Sequence, residues 1–238
     1  MPLPKISTPT YELEIPSTKK KIRYRPFLVK EEKILIIAME SQSDTEIANA
    51  VKDVLSTCIL TKGVKVDTLS TFDIEYLFLN IRGKSVGEDV EVLVTCPDDN
   101  KTKVPVRINL DDIKIITHDD HKRDIKLDDS LSMRMRYPSI NEFIKSNFST
   151  SEVKSEDTFD LIISCIEQIF NDEESWSTSD CTKEEMNDFL DQLNSNQFKE
   201  IEKFFDTMPK LSHTLTVNNP NTKVKSDIKL EGLAAFFA

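Results

Sequence analysis

The sequence predicts an α+β chain in which blocks of helix alternate with antiparallel hairpins. Three observations carry this. Apolar residues recur at helical spacing over several capped stretches. The period changes to two over residues 90–110 and again over 213–230. The return strands of the two hairpins echo each other: "TKVPVRINLDDI" (102–113) and "TKVKSDIKLEGL" (222–233). Together they predict two helix–helix–β-hairpin units around a central apolar helix, with an extended N-terminal arm. The expected division is an arm over 1–29, a first unit over 30–137 and a second over 138–238.

The arm is set apart by Pro2, Pro4, Pro9, Pro16 and Pro26, which exclude a helix. Lys5, Lys19, Lys20, Lys21, Arg23 and Arg25 face only Glu12 and Glu14, a net charge of about +4 over the first 25 residues. Within "KKIRYRPF" a strand would place Ile22 and Tyr24 on one side and Lys21, Arg23 and Arg25 on the other. Either this is a solvated tail or it docks, on a partner or on the chain's own acidic region.

"KEEKILIIAME" has the apolar density of a buried helical turn or two. "SDTEIANAVKDVLSTCI" opens on the Ser43–Glu46 capping-box pair, with Ile47, Val51, Val54, Leu55 and Cys58 on one face. Gly63 is a stop signal. In "STFDIEYLFLNIRGKS" Ser70 caps a helix whose stripe is Ile74, Leu77, Phe78 and Ile81, loosened at its end by Gly83 and Gly87. "DVEVLVT" and "KVPVRINL" then alternate around the turn "PDDNK", and "DIKII" and "LSMRMRY" read as added strands.

Pro138 closes that block. "SINEFIKSNF" reads as a helix. "SEDTFDLIISCIEQIF" (155–170) reads as the central one, with Ser155 as cap and Phe159, Ile162, Ile163, Ile166, Ile169 and Phe170 on one side. "NDEESWSTSD" is a loop by composition. "TKEEMNDFLDQL" begins with a Thr182–Glu185 capping box and "SNQFKEIEKFFDTM" ends at Pro209; "HTLTV" and "KVKSDIKL" form the last hairpin.

The two echoing segments share five identities at a constant offset of 120 residues, all at strand-building positions. An internal repeat and chance convergence of strand builders both account for the match. Under either account these residues serve packing or strand addition, not chemistry.

Composition narrows function. Hydrophobic residues make up 38% of the chain and charged residues 31%, enough for a core and a solvated surface. The net charge of −11 disfavours broad binding to nucleic acid or anionic membrane. Cys58, Cys96, Cys165 and Cys181 are too scattered for a secreted disulfide framework. No apolar run approaches a membrane span or the core of a signal peptide, so a soluble protein made in a cytoplasm is expected.

Catalytic constellations are thin. "HDDH" (His118, Asp119, Asp120, His121) could hold a divalent metal, yet it lacks helical ligand spacing and sits between hydrophilic segments, where a polar loop is the bland expectation. No phosphate loop can be drawn from four glycines. Cys96 stands alone at its hairpin tip, so a zinc knuckle is unsupported. The expectation is no catalytic residue, no metal, no cofactor and no small-molecule ligand. From Asp172 to Asp191 eight acids surround Trp176, the only tryptophan, a candidate interface anchor.

"DIEYLFLNIRGKSVGE" leading into "VLVTCPDD", then "MRMRYPS", and the ending "IKLEGLAAFF" resemble the baseplate hub proteins of T4-like bacteriophages, from about Lys30 onward. Some relatives carry a cysteine pair at the hairpin tip, where this chain has Cys96 alone. The resemblance implies a non-enzymatic, late virion-assembly role in the central hub of a contractile tail. It implies partners among other hub and tail subunits, in the host cytoplasm during assembly and in the tail baseplate of the virion. Lys19, Lys20, Lys21, Ile22, Arg23, Tyr24, Arg25 and Trp176 are the residues expected to meet partners. Two other readings compete: a metal-dependent enzyme built on His118–His121, and a degenerate zinc-ribbon-like nucleic-acid module.

Overall fold

A computed structural model describes residues 6–142 and 155–232. Its N-terminal segment folds back on itself. β1 (Tyr11–Glu14) and β2 (Lys21–Tyr24) pair antiparallel around a turn in which Lys19 takes a left-handed φ of 58°. The predicted alternation holds, with Ile22 and Tyr24 buried and Lys21 and Arg23 exposed. The arm is not free, however. The Leu60 N–H donates to the Arg23 carbonyl (2.8 Å), and the Arg25 N–H to the Cys58 carbonyl (3.0 Å). The Ser17 N–H and hydroxyl both donate to the buried Asp73 carboxylate (2.9 and 2.5 Å). The second edge of β2 thus finds its backbone partners just past α2 (Asp44–Cys58), and Ile15, Ile22 and Tyr24 find a core to enter.

The chain forms two compact units: Met1–Ile116 with Lys210–Ala238, and Thr117–Pro209. In the first unit α1 (Val29–Glu40) packs on α2, and α2 on α3 (Thr71–Val86). The predicted caps are in place: Ser43 accepts from the Glu46 N–H and Ser70 from the Asp73 N–H, each at 3.4 Å. α3 buries Ile74, Leu77, Phe78 and Ile81 as read, and stops at Gly87, whose φ of 114° suits glycine alone.

β3 (Asp89–Thr95) and β4 (Lys103–Asn109) form the first hairpin. β10 (Lys210–Asn218) and β11 (Lys225–Glu231) form the second, and β5 (Lys114–Ile116) extends its sheet in the order β11-β10-β5. Val90, Val92, Val94 and Ile108 of one hairpin share a buried cluster with Leu211, Leu215, Val217 and Leu230 of the other. That shared core is why the second hairpin joins the first unit, whereas the sequence had grouped it with residues 138–238.

The tips of the hairpins are tied together. Asn219 is 1% exposed. Its amide donates to both Asp98 oxygens (3.1 and 3.0 Å) and to Asp99 (3.0 Å). Its own Oδ1 accepts from the Asn221 N–H (2.9 Å), and the Asn221 amide donates to the Thr102 hydroxyl (2.9 Å). The sequence echo does not keep register here. The buried sixth residue of β4 is Ile108 and that of β11 is Leu230, an offset of 122 and not 120. A shift of two preserves side-chain parity, so the alternation survives while the matched residues separate. The likeness is one of strand builders. The helices preceding the second hairpin, Lys183–Asp191 and Ser195–Thr207, fall in the other compact unit.

The second unit contains a four-stranded antiparallel sheet, β6-β7-β8-β9: Asp124–Lys126, Ser132–Met135, Ile166–Phe170 and Ser175–Ser177. Helices α4 (Ser155–Cys165), α5 (Lys183–Asp191) and α6 (Ser195–Thr207) accompany it among the described residues. Met133, Met135, Ile162, Ile166, Ile201 and Phe204 form its core. The predicted central helix over 155–170 is thus corrected: it ends at Cys165, and Ile166–Phe170 is a strand between β7 and β9. The reason is competition for backbone groups. The Arg136 N–H takes the Cys165 carbonyl (2.7 Å) and the Thr178 hydroxyl the Ile166 carbonyl (2.5 Å), partners that a continued helix would have replaced. The loop read over 171–180 likewise contains β9. The Thr182–Glu185 capping box is present. The helix expected over 139–148 and the ending "LAAFF" fall largely outside the described residues.

Candidate interaction surfaces

α1 is the largest departure from the reading of its sequence. Its first turn is fixed by Glu31, whose carboxylate accepts from the Leu28 N–H (2.8 Å) and pairs with Arg25 (2.9 Å). Burial pushes this carboxyl up, but Arg25, the Leu28 N–H and Lys30 outweigh it and hold it at about 2. Glu31 and Ala38 point inward and are the buried residues of the helix. The opposite face therefore turns to solvent. Val29 is 65% exposed, Ile36 49% and Ile37 67%, beside Lys33 and Glu40. Leu28, Ile34 and Met39 add partly exposed apolar surface at its flanks. A soluble chain rarely leaves such a contiguous run uncovered without an interaction to serve. Apolar density had suggested burial; only the Lys33 and Glu40 interruptions hinted at a wet face.

The residues expected to meet partners in the arm divide into two sets. Ile22 and Tyr24 are core residues, 1% and 2% exposed. Arg25 is committed to Glu31 and the Pro26 carbonyl. Lys19, Lys20, Lys21 and Arg23 remain exposed, but Arg23 stands across from Glu12 and Lys21 across from Glu14, so opposite charges oppose along the hairpin. What reads as a dense basic stretch is partly neutralised at short range. Trp176 sits on the edge strand β9, opposite Ile169, and is 41% exposed next to the acidic turn Asp172–Glu174.

The "HDDH" segment does not converge on an ion. His118, Asp119 and Asp120 face solvent. His121 turns inward, stacks on Tyr137 (5.6 Å between ring centres) and lies 5.2 Å from the Phe204 ring. Its Nδ1 is 3.0 Å from the Thr207 hydroxyl and its Nε2 3.0 Å from the Tyr137 hydroxyl. The Thr207 hydroxyl donates to the Lys203 carbonyl (2.6 Å), so it accepts from Nδ1–H, and Nε2 accepts from Tyr137. Burial pushes the imidazole below its ordinary value. Asp120 pairs with Lys203 (3.2 Å). Among the described residues no three His, Cys, Asp or Glu side chains are grouped to hold a metal. His121 is thus engaged with Tyr137, Phe204 and Thr207, and the geometry lends the metal-enzyme reading of this loop no support.

The buried cysteines are poor nucleophiles: burial pushes Cys58 up to about 11 and Cys165 to about 12. Cys96 lies beneath the hairpin tip, where burial and then Asp98 and Asp99 raise its thiol. Among the described residues no helix is long and apolar enough to cross a membrane.

A family model described as T4 bacteriophage base plate protein matches residues 8–238. No curated protein and no solved structure matches the chain.

Proposed function

The chain belongs to the T4 bacteriophage base plate protein family, and from that premise we propose that it is a non-enzymatic component or assembly factor of the tail's central hub, acting through protein–protein contacts. The observation that carries this reading is the uncovered apolar face of α1. An enzyme concentrates unusual chemistry in a concave site; a subunit of an assembly concentrates apolar surface where a neighbour will cover it. Here the exposed apolar residues cluster, while the most strongly perturbed carboxyl groups serve the fold: Glu31 holds Arg25, and Asp99 holds its own tip through Thr102.

The partners proposed are other hub and tail subunits, met in the host cytoplasm during assembly and retained in the base plate if the chain is a component. Lys19, Lys20, Lys21, Arg23 and Trp176 remain candidates for such contacts through their exposed side chains. Ile22, Tyr24 and Arg25 act indirectly, by fixing the hairpin that presents them. The test is co-purification of tagged chain with hub subunits from infected cells, beside mass spectrometry of purified virions. Capture of hub subunits, with or without the chain in virions, supports the proposal and separates factor from component. A chain that captures no tail subunit and is absent from virions overturns it.

A further inference from the structure

The outward residues of α1 have a pattern that apolar density alone does not require. Val29, Lys33, Ile36 and Glu40 are spaced by four, three and four residues. That is the spacing of a seam along which one helix meets another. Ile37 and Lys30 flank it. Inward-facing Glu31 and Ala38 occupy the opposite side, so among the described residues the seam stays exposed.

The two charges on the seam discriminate between occupants. Lys33 and Glu40 are seven residues apart, opposite in sign, and astride Ile36 and Ile37. A second copy laid antiparallel, with its axis of symmetry between Ile36 and Ile37, brings each Lys33 opposite a Glu40 of the other copy. The isoleucines then meet in the middle. A parallel copy would set Lys33 on Lys33 and Glu40 on Glu40. The face is thus self-complementary in one orientation, the isologous one that two-fold symmetric pairs use. We infer that α1 is a self-association surface through which two copies of this chain pair antiparallel, with Ile36 and Ile37 at the centre and Lys33–Glu40 pairs at both ends.

Area sets the strength. A helix of 12 residues is about 18 Å long and about 10 Å across, so its one face supplies much less than the ~800 Å² per partner of a stable interface. The pair is consequently weak in isolation, with a dissociation constant on the order of 0.1 mM. It gains force where copies are held close by other contacts.

The inference does not rest on the base plate reading, because it is tested on the purified full chain alone. Sedimentation equilibrium from about 10 to 500 µM, a range bracketing that affinity, should show a monomer–dimer equilibrium. Ile36→Asp should abolish it. Lys33→Glu should raise the dissociation constant roughly tenfold, since both exposed pairs are lost and like charges then meet at each end. The double reversal Lys33→Glu with Glu40→Lys should restore the wild-type value. Far-UV circular dichroism checks that each variant is folded, and Lys62→Ala, at an exposed position outside α1, serves as a surface control. A wild-type chain that stays monomeric throughout overturns the inference and leaves the face to a helix of another subunit. Dimerisation that survives Ile36→Asp, or a double reversal no better than the single one, overturns it equally.

Discussion

Replacing Ile22 by alanine separates an appended arm from one built into the core. Ile22 is 1% exposed on β2, between strand hydrogen bonds to β1 on one edge and to the Thr61 hydroxyl and the Leu60 N–H on the other. Those bonds hold the backbone, so the space left by the side chain cannot close easily. A large-to-small change at such a site costs about 3–4 kcal/mol, the middle of the range for buried aliphatic residues. Total stability of a unit this size is about 5–15 kcal/mol, so the loss is a large share of it. With a urea slope of about 1–3 kcal/mol/M, the unfolding midpoint should fall by more than about 1 M. Urea titration followed by circular dichroism measures this, and hydrogen exchange over residues 6–116 locates it. Lys20→Ala, in the exposed turn of the same hairpin, should stay within about 0.5 kcal/mol of wild type. Equal midpoints for the two variants would refute the reasoning, since the hairpin would then contribute nothing to the core.

Three further outcomes follow from the same contacts. Glu31 titrates at about 2 in the fold against an ordinary 4.5, so its contribution is complete above about pH 4.5 and is lost as pH falls towards 2. Glu31→Gln should cost about 3 kcal/mol at neutral pH by stranding Arg25, and should lose less stability than wild type below pH 4.5, as read by urea midpoints at each pH. His121 is held below its ordinary 6.5 by burial, among Asp120, Arg123 and His118; its neutral form therefore stabilises the fold above pH 6.5, and that contribution fades as pH falls through the lowered value. His121→Gln should flatten the wild-type decline in melting temperature just below that pH. Asn219→Ala should cost about 1–3 kcal/mol by leaving Asp98 and Asp99 without their shared donor, measured by thermal melts.

What the sequence disclosed was local. The caps at Ser43, Ser70 and Thr182 and the hairpin alternations depend on neighbours within a few residues, and all stand in the structure. Residues 155–170 show where locality ends. Ile162, Ile163, Ile166 and Ile169 fit one helical face, yet Ile166 and Ile169 also fit a strand, and the decision comes from β7. β6 and β9 are three residues each and carry no period to read. The arm's alternation was legible, but not that β2 would find backbone partners at Cys58 and Leu60. For α1 the helix was legible and its burial was not, because burial depends on what covers Ile36 and Ile37. The inward turn of His121 was equally hidden, since it rests on Tyr137, Phe204 and Thr207.

A chain that serves the hub by contact must be needed for the hub to form. The most direct measurement is electron microscopy of base plates from infections lacking this chain, with and without the wild-type protein supplied in trans. The predicted result is base plates that fail to complete around a central hub in its absence, and restoration when it is supplied. Complete base plates and infectious tails formed without the chain would contradict it.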